Sequence, residues 1–149
     1  TLTKLSALFG ARMKARGKGD ILNVGSTAGM VASARFAAYG ATKAYVNLFT
    51  FALRGELKPF GVNVTCLTPG AVNTNFATTA RIDTFGGKSI MKEMFAKGAV
   101  SEPADIARAG YDGMRRGKAH VLAGQGATFA VLISRLLPPS ALPMILKNA

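Results

Sequence analysis

The sequence feature that most constrains the fold is a strand, a long helix and a second strand in direct succession. Residues 21–24 form a short, largely apolar run of the kind that a parallel sheet buries on both faces. Apolar residues recur at helical spacing over 39–58, and a Pro-Phe-Gly sequence ends that pattern. Residues 62–67 predict a second buried strand. Such βαβ units form right-handed crossovers in parallel sheets, so the predicted fold class is α/β.

Further elements are predicted on both sides of this unit. Residues 3–16 predict an amphipathic helix, 101–116 a helix with acidic residues in its first turn, and 119–123 a last strand. Residues 73–98 are polar, contain glycine and are weakly periodic, which predicts a mobile excursion outside the sheet. Segments of that kind often close over substrates.

The composition limits the classes of function. Lys and Arg number 19 against 7 Asp and Glu, and the formal charge of +12 favours acidic ligands such as nucleotide phosphates, nucleic acid or anionic lipid. Aromatic residues are not interleaved with the basic ones, so no nucleic-acid partner is predicted. With one cysteine, Cys66, and one histidine, neither a disulfide nor a metal site is expected. A lone thiol in an apolar segment is typical of a reducing, cytoplasmic compartment.

Three side chains near the end of the first predicted strand indicate proton-transfer chemistry. Ser26 follows the strand, Tyr39 comes 13 residues later, and Lys43 lies 4 residues beyond on the same helix face. A phenol titrates at about pH 10, and a cation one helical turn away stabilises its phenolate, which makes it usable as an acid and a base. Ser26 would hold a substrate oxygen nearby. The alternatives are a strand-end cap at Ser26, and packing or solvent-exposed roles for the other two.

The segments ILNVGSTAG, YGATK and VNVTCLTPGAVNT occur in the order and at nearly the separations found in short-chain dehydrogenases, a family that the chain resembles over residues 2–123. The resemblance implies a doubly wound parallel sheet of the Rossmann type and an NAD(P)-dependent oxidoreductase that interconverts a carbonyl and an alcohol. It also implies that Ser26 orients the substrate, that Tyr39 exchanges the proton, and that Lys43 also bonds the nicotinamide ribose. Many members carry a second serine where this chain has Gly25.

The family's Pro-Gly-x-Val-x-Thr segment, which lies beside the nicotinamide and pyrophosphate, matches Pro69, Gly70, Val72 and Thr74. These residues, with Tyr39 and Lys43, are the expected cofactor contacts. The expected cofactor is NADP or NAD, and the basic charge alone gives NADP a mild preference. A small-molecule carbonyl or alcohol is the expected substrate, and its identity is not encoded in any distinctive polar group of the chain.

The family's Gly-rich phosphate loop and the residue that selects NAD or NADP have no counterpart in the sequence. The chain is therefore expected to be the C-terminal half of its domain. Residues 1–125 would form the C-terminal part of one NAD(P)-binding Rossmann-type domain whose N-terminal βαβ half is missing, and 126–149 an apolar extension. Such a chain is expected to be inactive by itself. A non-catalytic binding protein or membrane-associated scaffold derived from a truncated dehydrogenase is the alternative.

Two segments suggest macromolecular partners. Family members commonly pair through two long helices, which implies a homo-oligomer, although the apolar face of 41–53 would look similar if it were buried within one subunit. Residues 127–146 are rich in apolar side chains, but Arg135 and three prolines interrupt them, which excludes a spanning helix. This segment is predicted to pack on a neighbouring subunit or over the substrate cleft, with peripheral membrane contact as the alternative.

Overall fold

The computed structural model describes residues 1–34, 36–76, 84–85, 88–89 and 100–141. The helices are α1 (Leu2–Ala15), α2 (Ala37–Leu57), α3 (Pro103–Arg115) and α4 (Ala127–Leu136), with short 3-10 turns at Thr27–Gly29 and Lys58–Phe60. The strands are β1 (Gly19–Val24), β2 (Val62–Pro69), β3 (Thr84–Phe85), β4 (Lys88–Ser89) and β5 (His120–Ala123). The helices and strands predicted outside 73–98 are thus found within a few residues of their expected bounds. Most of the predicted excursion lies outside the described residues.

A three-stranded parallel sheet forms the centre of the chain. Its order is β1-β2-β5, so the second strand of the βαβ unit lies in the middle. Residues 19–24 pair in register with 62–67, and residues 66–69 pair with 120–123. The α/β prediction is therefore confirmed. Within the described part of the chain, no strand pairs with the outer edge of β1.

Apolar residues pack on both faces of this sheet, because alternate side chains of a strand point to opposite sides. One cluster joins the sheet to α1 and α2, and the other joins it to α3. The first cluster contains Ile21, Leu53, Leu57, Val62 and Val64, with Met13 and Phe49 packed against them. The second contains Leu67, Ile106 and Ala123, with Leu22, Val72, Ala109 and Val121 around them. The result is three layers, with helices on either side of the sheet.

The buried face of α2 is more polar than the sequence pattern indicated. Its buried residues are Asn47, Thr50, Leu53 and Leu57. Of the predicted apolar face, Leu53 is buried and Phe49 packs against the core, whereas Tyr45 and Leu48 are 53% and 70% exposed. The helix therefore meets the sheet through a mixed surface and leaves part of its apolar face exposed.

Helix α4 buries one side and exposes the other. Ala127 and Val131 are buried against the rest of the chain, whereas Phe129, Leu132 and Leu136 are 69%, 54% and 82% exposed. None of the described helices has the length and apolar character needed to cross a membrane.

His120, the first residue of β5, gives a test of the packing between β5 and α2. Its Nε2 lies 2.9 Å from Thr68 Oγ1, and its ring packs edge-on against Phe51. Burial lowers the pKa of this imidazole, and the charge of Arg135 lowers it further. Because the unfolded chain binds the proton more readily, the free energy of unfolding should fall as the pH drops from 6.5 through the lower folded pKa.

We expect the wild-type Tm to fall by a few degrees more than that of His120→Asn when the pH is lowered from about 7.5 to about 5, because the asparagine variant has no proton to bind in this range. Thermal unfolding at a series of pH values measures this difference. Parallel pH profiles for the two proteins would show that His120 does not carry the effect.

Candidate active site

The carboxyl ends of the three parallel strands meet at one edge of the sheet, and the predicted site residues follow two of them. Gly25 leaves β1 and donates its N–H to Leu67 O at 2.8 Å. Gly70 leaves β2 and donates its N–H to Ala123 O at 2.9 Å. These bonds hold the loops after β1 and β2 to neighbouring strands, at the edge where open α/β sheets place their ligands.

Ser26 follows β1 after Gly25, has an extended conformation and is 8% exposed. Its Oγ accepts a hydrogen bond from Ala28 N at 3.1 Å, which caps the 3-10 turn Thr27–Gly29. Ser26 therefore does make a capping contact at the strand end, as the alternative interpretation predicted. This contact does not consume the hydroxyl proton, because a hydroxyl that accepts one bond can still donate another.

Tyr39 and Lys43 lie one turn apart in the first half of α2, and Lys43 Nζ is 5.9 Å from the centroid of the Tyr39 ring. The ring packs between Phe36 and Phe76, with centroid distances of 6.1 and 5.0 Å. Two aromatic neighbours therefore pack against this half-buried ring.

Lys43 connects the helix to the end of β1. Its Nζ donates to Val24 O at 3.0 Å, two residues before Ser26. Burial lowers the pKa of the ammonium group, and the nearby Cys66 thiol has the opposite, smaller effect. The structure therefore brings Lys43 to both Tyr39 and the strand end. Within the described residues, Ser26 and Tyr39 make no direct hydrogen bond to each other.

The segment predicted to contact the cofactor lies where β2 ends. Gly70 has little free space, because a Cβ there would lie 3.3 Å from Gln125 O and 3.6 Å from Ala127 Cβ. Val72 forms an isolated parallel bridge with Ser101 and packs in the second apolar cluster. Thr74 is exposed, and its Oγ1 accepts from Phe76 N at 3.3 Å. Pro69 is the last residue of the strand.

Asn47 is a residue of this region that the sequence analysis did not single out. It is 2% exposed and donates from Nδ2 to Ser26 O at 3.1 Å. The available signal was its position, because Asn47 lies one helical turn after Lys43 and two turns after Tyr39. An asparagine at that spacing could have been recognised as part of the same helix face.

The parallel sheet and its crossover helix form a Rossmann-like α/β fold, with the Tyr39–Lys43 pair beside a strand end. Comparison with known sequences agrees. The sequence model for short chain dehydrogenases matches residues 2–84. The chain belongs to the short-chain dehydrogenase family.

Two relatives, one from a fish and one from a bacterium, show the extent of the sequence similarity. The chain is 31% identical over 124 residues to dehydrogenase/reductase SDR family member 7B of Danio rerio, a match covering 83% of this chain and 40% of that protein. It is 35% identical over 97 residues to the NADP-dependent 3-hydroxy acid dehydrogenase YdfG of Escherichia coli, covering 65% of this chain and 38% of that protein.

The structural comparison gives the same family. A short-chain dehydrogenase from Sphingobium yanoikuyae, solved in complex with NADPH, superposes with a TM-score of 0.69 at 28% identity. The match covers 91% of this chain and 50% of that one. The chain spans half or less of the length of these relatives, and its fold is Rossmann-like but truncated relative to theirs.

Proposed function

We propose that this chain carries the catalytic residues of an NAD(P)-dependent oxidoreductase that interconverts a carbonyl and an alcohol. The observation that carries the proposal is the arrangement of Tyr39 and Lys43 on one helix, with Lys43 bonded to the strand end that leads into Ser26. Tyr39 gives its proton to the substrate oxygen during reduction and removes it during oxidation. The ammonium of Lys43 stabilises the phenolate, and Ser26 donates its hydroxyl proton to the substrate oxygen.

NADP or NAD is the proposed cofactor, with a mild preference for NADP from the basic charge. The donors near the strand ends suit such a ligand. Lys43 uses one of its three N–H groups on Val24 O, and the exposed Thr74 hydroxyl, which accepts from Phe76 N, keeps its own proton to donate. Pro69, Gly70 and Val72 would lie beside the cofactor where β2 ends. The E. coli relative is NADP-dependent by name, and the Sphingobium structure contains NADPH. When bound, the cofactor supplies or accepts the hydride.

We propose that residues 1–125 form the C-terminal part of a single dehydrogenase domain whose N-terminal βαβ half is missing here, followed by the apolar extension 126–149. The outer edge of β1, which no strand of the described residues pairs with, supports this arrangement, since a doubly wound sheet would continue there with further parallel strands. The order of the Ser26, Tyr39–Lys43 and Pro69–Gly70 segments along the chain supports it as well. This chain alone would then be inactive.

Exposed apolar surfaces support a homo-oligomer. Tyr45 and Leu48 on α2 are 53% and 70% exposed, and Leu5, Leu8 and Phe9 on α1 are each nearly half exposed. Thr3 Oγ1 and Tyr45 OH lie 2.8 Å apart, which joins the two helices into one surface. The exposed side of α4 would pack on a neighbouring subunit or over the substrate cleft, with contact to a membrane surface as the alternative. A cytoplasmic location is consistent with the free, buried thiol of Cys66.

The test is isotope transfer by the full-length protein. We expect NADPH that carries deuterium at both hydrogens of nicotinamide C4 to transfer deuterium to the carbonyl carbon of a ketone. The panel of ketones contains aliphatic, steroid and 3-oxoacyl compounds, and at least one of them should be labelled. Mass spectrometry of the alcohol product measures the transfer, and NADH in place of NADPH measures the cofactor preference. A protein that binds the reduced cofactor but labels no alcohol would contradict the proposed reaction.

A further inference from the structure

The space beside Gly25 is occupied by a side chain from another element. A Cβ built on Gly25 would overlap Oδ1 of Asn47 and would lie 3.0 Å from its Cγ and 3.4 Å from Cys66 Sγ. Gly25 is not among the glycines with positive φ, so the backbone alone does not require a glycine here. The requirement comes from the carboxamide of Asn47.

Both ends of this carboxamide are bonded. Nδ2 donates to Ser26 O at 3.1 Å, and Oδ1 accepts from Cys66 Sγ at 3.5 Å. Asn47 is 2% exposed, and a buried amide is costly unless its polar atoms have partners. Its contacts therefore join α2 to the loop after β1 and to β2.

The loop also wraps the other side of the carboxamide. A Cβ on Gly29 would overlap the α2 backbone at Lys43 and would lie 2.7 Å from Asn47 Nδ2. Asn47 thus lies between two glycines, one at each end of the loop that carries Ser26. The helix that holds Asn47 also carries Tyr39 and Lys43.

We propose that Asn47 is a positioning residue for Ser26, and that Gly25 and Asn47 form a matched pair in which the carboxamide takes the place of a side chain on residue 25. This role rests on the proposed function. By fixing the carbonyl of Ser26, Asn47 sets the loop relative to the helix that carries Tyr39 and Lys43. Small errors in such an arrangement are expensive, since a displacement of about 1 Å can lower a rate by about 10²-fold.

Thermal unfolding of the full-length protein tests the pair without reference to activity. We expect Gly25→Ala to lower the Tm by roughly 5–10 °C, because the new methyl group overlaps the carboxamide of Asn47. In the Gly25→Ala/Asn47→Ala double variant the methyl group enters the space that the carboxamide leaves, and at least half of the lost Tm should return. Additive losses in the double variant would overturn the matched pair.

A kinetic cycle tests the positioning role. Asn47→Leu keeps a similar volume and removes both hydrogen bonds, so we expect kcat to fall by about 10- to 100-fold while KM for the cofactor changes little. In a Ser26→Ala background the same substitution should lower kcat by less than about 3-fold, because Asn47 acts through Ser26. If the leucine variant does not fold, Gly25→Ala/Asn47→Ala replaces it in the cycle.

Equal losses in both backgrounds would overturn the positioning role and leave Asn47 a purely structural residue. Absence of turnover in the wild-type protein would overturn the proposed function and the positioning role with it, whereas the unfolding cycle would still decide the matched pair. The two failures are therefore distinguishable.

Discussion

Tyr39→Phe is expected to lower the turnover of the full-length enzyme by about 10²- to 10⁴-fold, the range that general acid and base catalysis contributes. The substitution removes only the phenol oxygen. The ring contacts with Phe36 and Phe76 remain available to phenylalanine, so the Tm should change little. Steady-state kinetics in both reaction directions, together with thermal unfolding, measures the effect.

Tyr45→Phe is the matched control for this experiment. Tyr45 lies on the same helix, is 53% exposed and bonds Thr3 through its hydroxyl, so removing that hydroxyl alters the outer surface and not the strand-end region. Its turnover should stay within about 2-fold of the wild type. If Tyr39→Phe kept normal turnover, the proposed proton-transfer role would be wrong.

Lys43→Met should have the second-largest effect, a loss of turnover of about 10²-fold or more, because the cation beside the phenol is removed. The folded structure should tolerate this change. Burial lowers the pKa of Lys43, which means that the folded protein resists the charged form. That cost is present at every pH below the folded pKa and disappears as the pH rises from the folded pKa towards 10.5.

Removing the buried charge should raise the Tm, and losing the bond to Val24 O should lower it. We expect the Tm of Lys43→Met at neutral pH to equal or exceed that of the wild type. Any advantage should shrink above the folded pKa. Lys58→Met serves as the control, since exposed Lys58 bonds the side chain of Asn63 far from the predicted site. If Lys43→Met lowered the Tm substantially together with the turnover, Lys43 would have a structural role instead.

The secondary structure was largely predictable because each element carries its own periodic signal. The runs at 21–24 and 62–67 are short and rich in apolar and β-branched residues, as is typical of strands buried between two helix layers, and the structure has β1 and β2 there. The candidate residues were found by spacing along one helix and by the position of Ser26 at a strand end. Their catalytic roles remain predictions.

The contacts that depend on two distant segments could not be predicted in the same way. Gly25 was noted only as a departure from the family, because the reason for it lies 22 positions further along the chain, at Asn47. The exposure of Leu48 was equally hidden, since an apolar stripe looks the same whether it faces a core or a partner. Sequence periodicity reports that a face is apolar, not what covers it.

The central position of β2 affects how the candidate site assembles during folding. Ser26, Tyr39 and Lys43 all belong to the continuous segment from β1 to β2, so the contacts that bring them together close short loops. Short loops cost little chain entropy and form quickly. The candidate-site residues can therefore be brought together by neighbouring parts of the chain, whereas β5, which adds none of them, joins the far side of β2.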